Sequence, residues 1–590
     1  MYTRARLVLA LLCLLLAALR PAAAQPIVDR SLDYQLPIDM EPFLAGNYGE
    51  LRSNHFHAGL DFKTQQSTGH PVLSFDDGYV WRAVINAYGY GTVLYVKHPH
   101  TELMTVYAHL EAFRPDIAQR VRDYCSEHEV SNPDVRFAPD DFPVRRGEEI
   151  AKSGNTGSSG GPHVHFEVRG MENDEFYDPL EFFIDKIADT RPPQLRGVYL
   201  YPLGGVACGQ TVRQSANLIT PKGQAGTRQL SRQLTAWGRV GIGIKAYDYM
   251  DRTSNIYGVK FVRLYVDDVM VFNFSQHAFH YDERRYTNSL TDYAAWRGQR
   301  SMIMKCFREP GNRLRMINPM LGDGVIDVNE ERPYRLRLEL EDAHGNRTVF
   351  PFTLRGVRSA LPEAKAPRGH FVAAGQDVLI DSLGCRFELA AGNLYTDADL
   401  HFSARTPGEG QPACVSRIYA IGRSDIPVHG SATLRIALPP TCTDDPAKLY
   451  IALVTDGSRP LETRRRSVPR DSLRSGTTAP DGGPVPCLEA DVSELGRYAI
   501  RRDVTPPSVQ LASKATHRRV TLSMGDGGSG LASWRGEIDG TFVPFHQDNR
   551  GLYVAHPDEF GIAKGKTHTI RVTATDRCGN VREFQASAWF

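Results

Sequence analysis

In Gly161-Pro162-His163-Val164-His165-Phe166-Glu167-Val168-Arg169 the run from His163 to Arg169 reads as one β-strand. Side chains two apart on a strand share a face, so His163 and His165 project together while Val164 turns into the opposite layer. Two other stretches supply partners, His57-Ala58-Gly59-Leu60-Asp61 and Tyr107-Ala108-His109-Leu110. His57 and Asp61 are four apart and share a face wherever that stretch is extended. Gly59 between them leaves room for close backbone approach. The runs 91–97 and 103–110 also have strand character. A small antiparallel sheet would gather all five polar side chains on its open face.

A hydrolytic zinc ion takes three ligands from His and carboxylate side chains and keeps a fourth position for water. His57, Asp61 and His165 can fill those three places. His109 and His163 are then left as imidazoles able to act on a substrate. Other histidines fit less well among the 19 in the chain. His98-Pro99-His100 falls at a hairpin turn and is read as solvent-exposed. His55 lies two before His57 and is the one competing ligand. His128-Glu129-Val130-Ser131-Asn132 is one histidine short of the helical zincin motif and is set aside.

These residues carry a resemblance to the lysostaphin/LytM-type zinc endopeptidases of bacterial cell walls. It covers roughly residues 45–185. Beyond the three stretches above it includes Asp77-Gly78, Tyr90-Gly91, Val144-Arg145-Arg146-Gly147 and Ser153-Gly154-Asn155-Thr156-Gly157. The resemblance implies that His57, Asp61 and His165 bind Zn²⁺, and that His109 and His163 are the catalytic histidines. It implies a substrate, the peptide cross-link of peptidoglycan. Some relatives have lost ligands and only bind wall or activate other hydrolases; this chain keeps all five positions, so activity is expected.

Bound zinc supplies Lewis acidity and acidifies water towards a pKa of about 7. A neutral imidazole can then take a proton from the attacking water. A second can hydrogen-bond the developing oxyanion or protonate the leaving amine. The sequence does not divide those jobs between His109 and His163. Protonation of the base is expected to lower the rate as the medium is acidified through about pH 8 to 5.

Length and composition bound the rest. A chain of 590 residues is too long for one core and implies several domains. Lys plus Arg number 69 and Asp plus Glu 68, a balance that excludes an electrostatic case for nucleic-acid binding. Residues 1–24 read as a signal peptide: Arg4 and Arg6, then the apolar run Leu7 to Leu19, then Ala22-Ala23-Ala24. That run is too short for a transmembrane helix. The mature chain is expected in the periplasm or cell envelope, or secreted, with no membrane span. Eight cysteines follow residue 24, an even number that permits disulfides in an exported protein; Cys414 to Cys442 or Cys385 to Cys487 would staple one module.

The expected architecture is mainly β. A LytM-type peptidase domain at 25–188 carries an insertion at about 111–141. Within it Ile117, Val121, Tyr124 and Cys125 recur at helical spacing after Pro115 and Asp116. A helix packed by one apolar face is favoured over a lid. About three β-sandwich, Ig-like domains follow, at 189–357 (with an insertion near 275–329), 358–502 and 503–590. An internal repeat supports the first and last of these. Asp189-Thr190-Arg191-Pro192-Pro193 is echoed by Asp503-Val504-Thr505-Pro506-Pro507, and Asp342-Ala343-His344-Gly345-Asn346 by Asp576-Arg577-Cys578-Gly579-Asn580. Asp323-Gly324-Val325-Ile326-Asp327 lacks the EF-hand spacing and reads as strand with turn. The run 464–486, with its Arg464-Arg465-Arg466, reads as a solvated mobile loop.

The functional expectation is an exported zinc endopeptidase acting on peptidoglycan, with envelope proteins as partners of the sandwiches. The alternatives are a catalytically silent scaffold or hydrolase activator, and an adhesin whose sandwiches are the working part.

Overall fold

A computed structural model describes residues 28–222, 226–363, 369–408, 414–455, 457–469, 473 and 484–590. The expected signal peptide lies outside the described residues. Among the described residues, no helix is long and apolar enough to cross a membrane.

The N-terminal part is built on an antiparallel sheet. Its strands are β1 (Leu44–Gly46), β2 (Leu60–Lys63), β3 (Gly78–Ile85), β4 (Thr92–His98) and β5 (Leu103–Ala108). Helix α1 (Pro115–His128) intervenes before β6 (Asp134–Arg136) and β7 (His163–Gly170). The order across the sheet is β1-β2-β7-β5-β4-β3-β6. The strand read from the histidine pair therefore sits centrally, with β2 on one side and β5 on the other. Register sets the chemistry: His165 lies opposite Asp61 on β2 and opposite Ala108 on β5.

Alternation along β7 separates core from site. Val164, Phe166 and Val168 are fully buried and join Phe62, Phe75, Tyr107 and Phe183 in the core. Burial of each such side chain is worth roughly 1.5–3 kcal/mol. Strand β2 does not run on to His57; it begins at Leu60, opposite Phe166. A side chain at Gly59 would place its Cβ 2.1 Å from the Phe166 carbonyl oxygen, so only glycine permits this close approach.

The insertion forms α1 as expected, starting at Pro115 and burying Ile117, Val121 and Cys125. Its free end meets the far end of the chain. Glu129 pairs with Arg535 at 2.7 Å. Ser131 Oγ accepts from the Phe545 amide at 3.2 Å, and the Ser131 carbonyl lies 2.6 Å from His546 Nδ1. Phe542 joins the N-terminal core itself.

The remaining residues are mainly β. Residues 194–356 form a 12-stranded sheet system in which Leu234–Tyr247 pairs with Gln194–Pro202 on one side and, in parallel, with Arg347–Gly356 on the other. One long strand thus bridges layers that the sequence reading kept as two sheets. Ala278–Phe279 from this region pairs with Phe176–Tyr177, extending the N-terminal sheet, and the two regions share one hydrophobic core. Two five-stranded sheets enclose a second core between Val372 and Ile500, and two four-stranded sheets a third up to Phe590.

Three sequence expectations are corrected here. His98 is fully buried, within 3.0 Å of the Asp77 carbonyl and 2.8 Å of Thr105 Oγ1; His100 is the exposed member of that pair. Arg464–Val468 is a strand, not a loop, because Arg464 is bonded to Glu489 and Asp491 of the neighbouring strand Val485–Val492. The eight cysteines are free thiols, Cys414, Cys442, Cys385 and Cys487 included.

Candidate metal centre

The five residues singled out from the sequence converge on one face of the sheet. His57 Nε2, Asp61 Oδ1 and His165 Nδ1 form a triangle with sides of 2.9, 2.9 and 3.0 Å. Bonds of about 2.0 Å to a tetrahedral ion would set its donors about 3.3 Å apart, so a small outward adjustment of these three atoms would accommodate the ion. All three residues are buried: His57 is 2%, Asp61 5% and His165 5% exposed.

The other nitrogen of each ligand imidazole is committed to a group that only accepts. His57 Nδ1 donates to the Asn47 carbonyl at 2.7 Å, and His165 Nε2 to Glu167 at 2.8 Å. The lone pairs of His57 Nε2 and His165 Nδ1 are thereby left pointing at the shared centre, the arrangement that metal-binding histidines use. Glu167 is itself fixed by the Tyr90 hydroxyl at 2.6 Å and by Arg169. Asp61 keeps its second oxygen for Arg52, 2.8 Å away.

Burial lowers His57 to about 4. Burial also opposes a charge on His165, but hydrogen bonds to Asp61 and Glu167 outweigh it and raise the group to about 9. Glu167 is buried too, yet Arg169 and His165 hold it down at about 2. Without a metal, a proton on His165 lies between the carboxylates of Asp61 and Glu167, each of which also pairs with an arginine. The donor set therefore fits a divalent cation on grounds of charge as well as geometry.

His109 and His163 stand beside the triangle. Their rings are 4.7 Å apart, and His163 Nε2 lies 3.5 Å from Asp61 Oδ1. Each donates Nδ1–H to a carbonyl, His109 to Thr156 and His163 to Gly161, both at 2.8 Å. The Nε2 atoms are not used in these bonds, and that of His163 faces Asp61. Burial, then the neighbouring His165 and His163, lowers His109 to about 3. Its backbone sits at φ +61°, a left-handed conformation that costs of order 1 kcal/mol or more outside glycine. His55 is exposed and bonded to the Ser53 carbonyl, outside the triangle.

The centre opens into a cleft of about 860 Å³. The sequence reading missed several of its parts. Arg52 and Glu167 brace the ligands and were visible only as charges on predicted strands. Tyr281, Arg284 and Arg285, from the insertion at 275–329, form the opposite wall together with Ser493 and Glu494. No spacing rule could place them there, because they arrive from other modules. Among the described residues, the 111–141 insertion contributes nothing to this lining.

Residues 55–123 match the model of Peptidase family M23, and residues 369–464 match the Zu5-like domain. A protein described as an uncharacterized metalloprotease of Haemophilus influenzae is 34% identical over 111 residues, 19% of this chain and 18% of the relative. The DD-carboxypeptidase/endopeptidase Mpg of Neisseria meningitidis is 32% identical over 119 residues, 20% of this chain and 21% of that one. The match thus spans about a fifth of those relatives' own lengths. Among solved structures, the catalytic domain of lysostaphin from Staphylococcus simulans aligns at 22% identity over 24% of this chain and 92% of its own, with a TM-score of 0.19. The N-terminal module of this chain is thus similar, over residues 55–123, to the LytM-type peptidases of family M23.

Proposed function

We propose that this chain is an exported zinc endopeptidase that cuts peptide cross-links of peptidoglycan in the cell envelope. The observation that carries the reading is the closed triangle of His57, Asp61 and His165 with the imidazoles of His109 and His163 beside it. Those three residues would hold the ion, which when bound supplies Lewis acidity to a peptide carbonyl and acidifies water. His109 and His163 stand beside the same centre. The one whose Nε2 is unprotonated accepts the proton of the attacking water and, as the imidazolium so formed, returns it to the leaving amine; the other hydrogen-bonds the oxyanion when its own Nε2 carries a hydrogen. The cleft wall formed by Tyr281, Arg284 and Arg285 offers an aromatic ring and the Arg284 cation to an extended peptide that bears carboxylates, with Arg285 held on the Gly430 and Ser493 carbonyls. In this reading the regions 189–357, 358–502 and 503–590 are β-sandwich modules that hold and orient the peptidase.

The test is zinc content and hydrolysis of purified peptidoglycan, read on the same preparations. The wild type should carry one zinc and release peptide fragments. His165→Ala should lose the metal, while His163→Ala should keep it and lose most turnover. A wild type that fails to retain zinc after reconstitution would favour a silent scaffold. Full hydrolysis by both variants would end the site assignment.

A further inference from the structure

The internal repeat brings three aspartates together in each copy. In the first copy they are Asp189, Asp248 and Asp342, which offer oxygens within 4.8 Å of one another; in the last copy they are Asp503, Asp526 and Asp576. An asparagine ties both clusters. Asn346 Nδ2 donates to the Asp189 carbonyl and to Asp342, and Asn580 Nδ2 to the Asp503 carbonyl and to Asp576.

The copies differ in how the carboxylates are satisfied. In the last copy Asp503 Oδ2 accepts from the Ser529 amide and hydroxyl, both at 2.7 Å, and Asp526 accepts from the amides of Gly528 and Gly530. The first copy carries Asp251 three residues after Asp248, where the last copy carries Ser529 three after Asp526. A further acid therefore replaces the donor. Asp189 Oδ2 and Asp248 Oδ1 are left buried with no hydrogen-bond partner among the described residues. Their side chains belong to residues only 7% and 5% exposed, and Asp342 is 3% exposed. Nearby cations are engaged elsewhere: Arg191 on the carbonyls of Met250 and Thr253, and Lys260 on Asp178 and Glu181. Asp342 accepts from the amides of His344 and Asn346 and from Asn346 Nδ2, and Asp189 Oδ1 from the Arg191 amide, but none of these partners is a cation. Burying a carboxylate oxygen without a partner costs several kcal/mol, so Asp189 Oδ2 and Asp248 Oδ1 beside one narrow cavity mark a site whose charge is answered from outside the chain. Burial and the charge of Asp342 push Asp248 up to about 8, the same imbalance seen from the proton's side.

We infer that Asp189, Asp248 and Asp342 form a calcium site at the joint between the peptidase and the region that follows it. Hard carboxylate oxygens suit Ca²⁺, which takes six to eight oxygen ligands and tolerates irregular geometry. His344 is the nearest soft donor, and its Nε2 is bound to the Ile187 carbonyl at 2.6 Å. The site has a structural role. Asp248 pairs through its backbone with Tyr257. The Tyr257 hydroxyl donates to the Leu44 carbonyl, and Gly258 exchanges two hydrogen bonds with Asn47. Asn47 is the residue whose carbonyl orients His57. Calcium there braces the strap that holds the first ligand of the metal centre.

Calcium titration by calorimetry on the full, zinc-loaded chain tests this independently of any hydrolytic activity. One equivalent of Ca²⁺ should bind to the wild type and to Asp526→Asn. Asp248→Asn and Asp189→Asn should each weaken binding at least 100-fold with zinc content unchanged. In calcium-free buffer Asp248→Asn should melt no lower than the wild type, because it removes an unpaired buried charge; that melt also shows that the variant is folded. Absence of binding to the wild type at millimolar Ca²⁺, or undiminished binding by folded Asp248→Asn and Asp189→Asn, overturns the inference. So does a single site that Asp526→Asn abolishes.

Discussion

Glu167→Gln is the substitution that most directly probes how the metal centre is held. Glu167 is completely buried and joins His165, Tyr90 and Arg169. Glutamine keeps the shape and an oxygen able to accept from His165 Nε2, but the charge is lost and its amide NH2 faces the Arg169 donors that Oε2 accepted. Removing an outer-shell carboxylate of this kind costs about 10- to 100-fold in metal affinity, or roughly 1.4–2.7 kcal/mol. Because the hydrogen bond survives, the lower half of that range is expected. A second cost falls on Arg169, 6% exposed, which retains Asp174 at 2.8 Å and a place 4.4 Å above the Phe176 ring. Breaking a buried pair costs about 3–5 kcal/mol when the partner is left alone; with Asp174 and Phe176 remaining, about 2–3 kcal/mol is expected. Competition against a chromophoric chelator measures the first effect. Denaturant melts of metal-free protein measure the second, with Arg169→Met as the control that loses stability without losing affinity. Wild-type affinity in a folded Glu167→Gln protein would refute the claim that Glu167 aims His165 at the metal.

Further outcomes follow from the same geometry. Gly59→Ala should destabilise the N-terminal module by about 2–4 kcal/mol and weaken metal retention, since its Cβ would lie 2.1 Å from the Phe166 oxygen between two ligands; a denaturant midpoint within error of wild type would contradict the close approach. At pH 7 metal uptake should release about one proton, because His165, raised to about 9, is charged in the metal-free protein and must give up its Nδ1 site. Affinity should accordingly rise about tenfold per pH unit below 9, and calorimetry in buffers of different ionisation enthalpy reads the proton count. Burial holds His109 below the ordinary imidazole value, so if it is the base the acid limb of hydrolysis should lie lower than the pH 8 to 5 window expected from the sequence; an acid limb near about 6.5 would assign proton removal to another group. Phe542→Ala should loosen the last module from the α1 end by about 3 kcal/mol, seen as faster proteolysis between 500 and 545. Arg535→Ala at the same contact should cost under about 1 kcal/mol, being an exposed pair.

How far the sequence carried the reading depended on the range of the interactions involved. Two-residue periodicity in 163–169 was enough to name a strand, and with it the face that His163 and His165 share, because strand geometry is local. The same held for α1, whose apolar stripe and Pro115 start are properties of one segment. It failed for His98, whose turn position suggested exposure. The Asp77 carbonyl and Thr105 hydroxyl bury it, and both belong to other segments. It failed again for Arg464-Arg465-Arg466, where Glu489 and Asp491 on a neighbouring strand turn a charge run into a paired edge.

By itself the chain's order of residues determined the donor types, their strand faces and the repeat that places an aspartate at 189, 342, 503 and 576. Side-chain chemistry and backbone period are written in single segments, so one segment suffices to read them. Tertiary structure alone decided that His57 Nε2, Asp61 Oδ1 and His165 Nδ1 meet within 3.0 Å, that Arg284 and Arg285 wall the cleft, and that the first aspartate cluster lacks a donor the last one has. Those are relations between atoms more than a hundred residues apart, or between acids and the hydrogens that reach them, and they exist only once the core has closed.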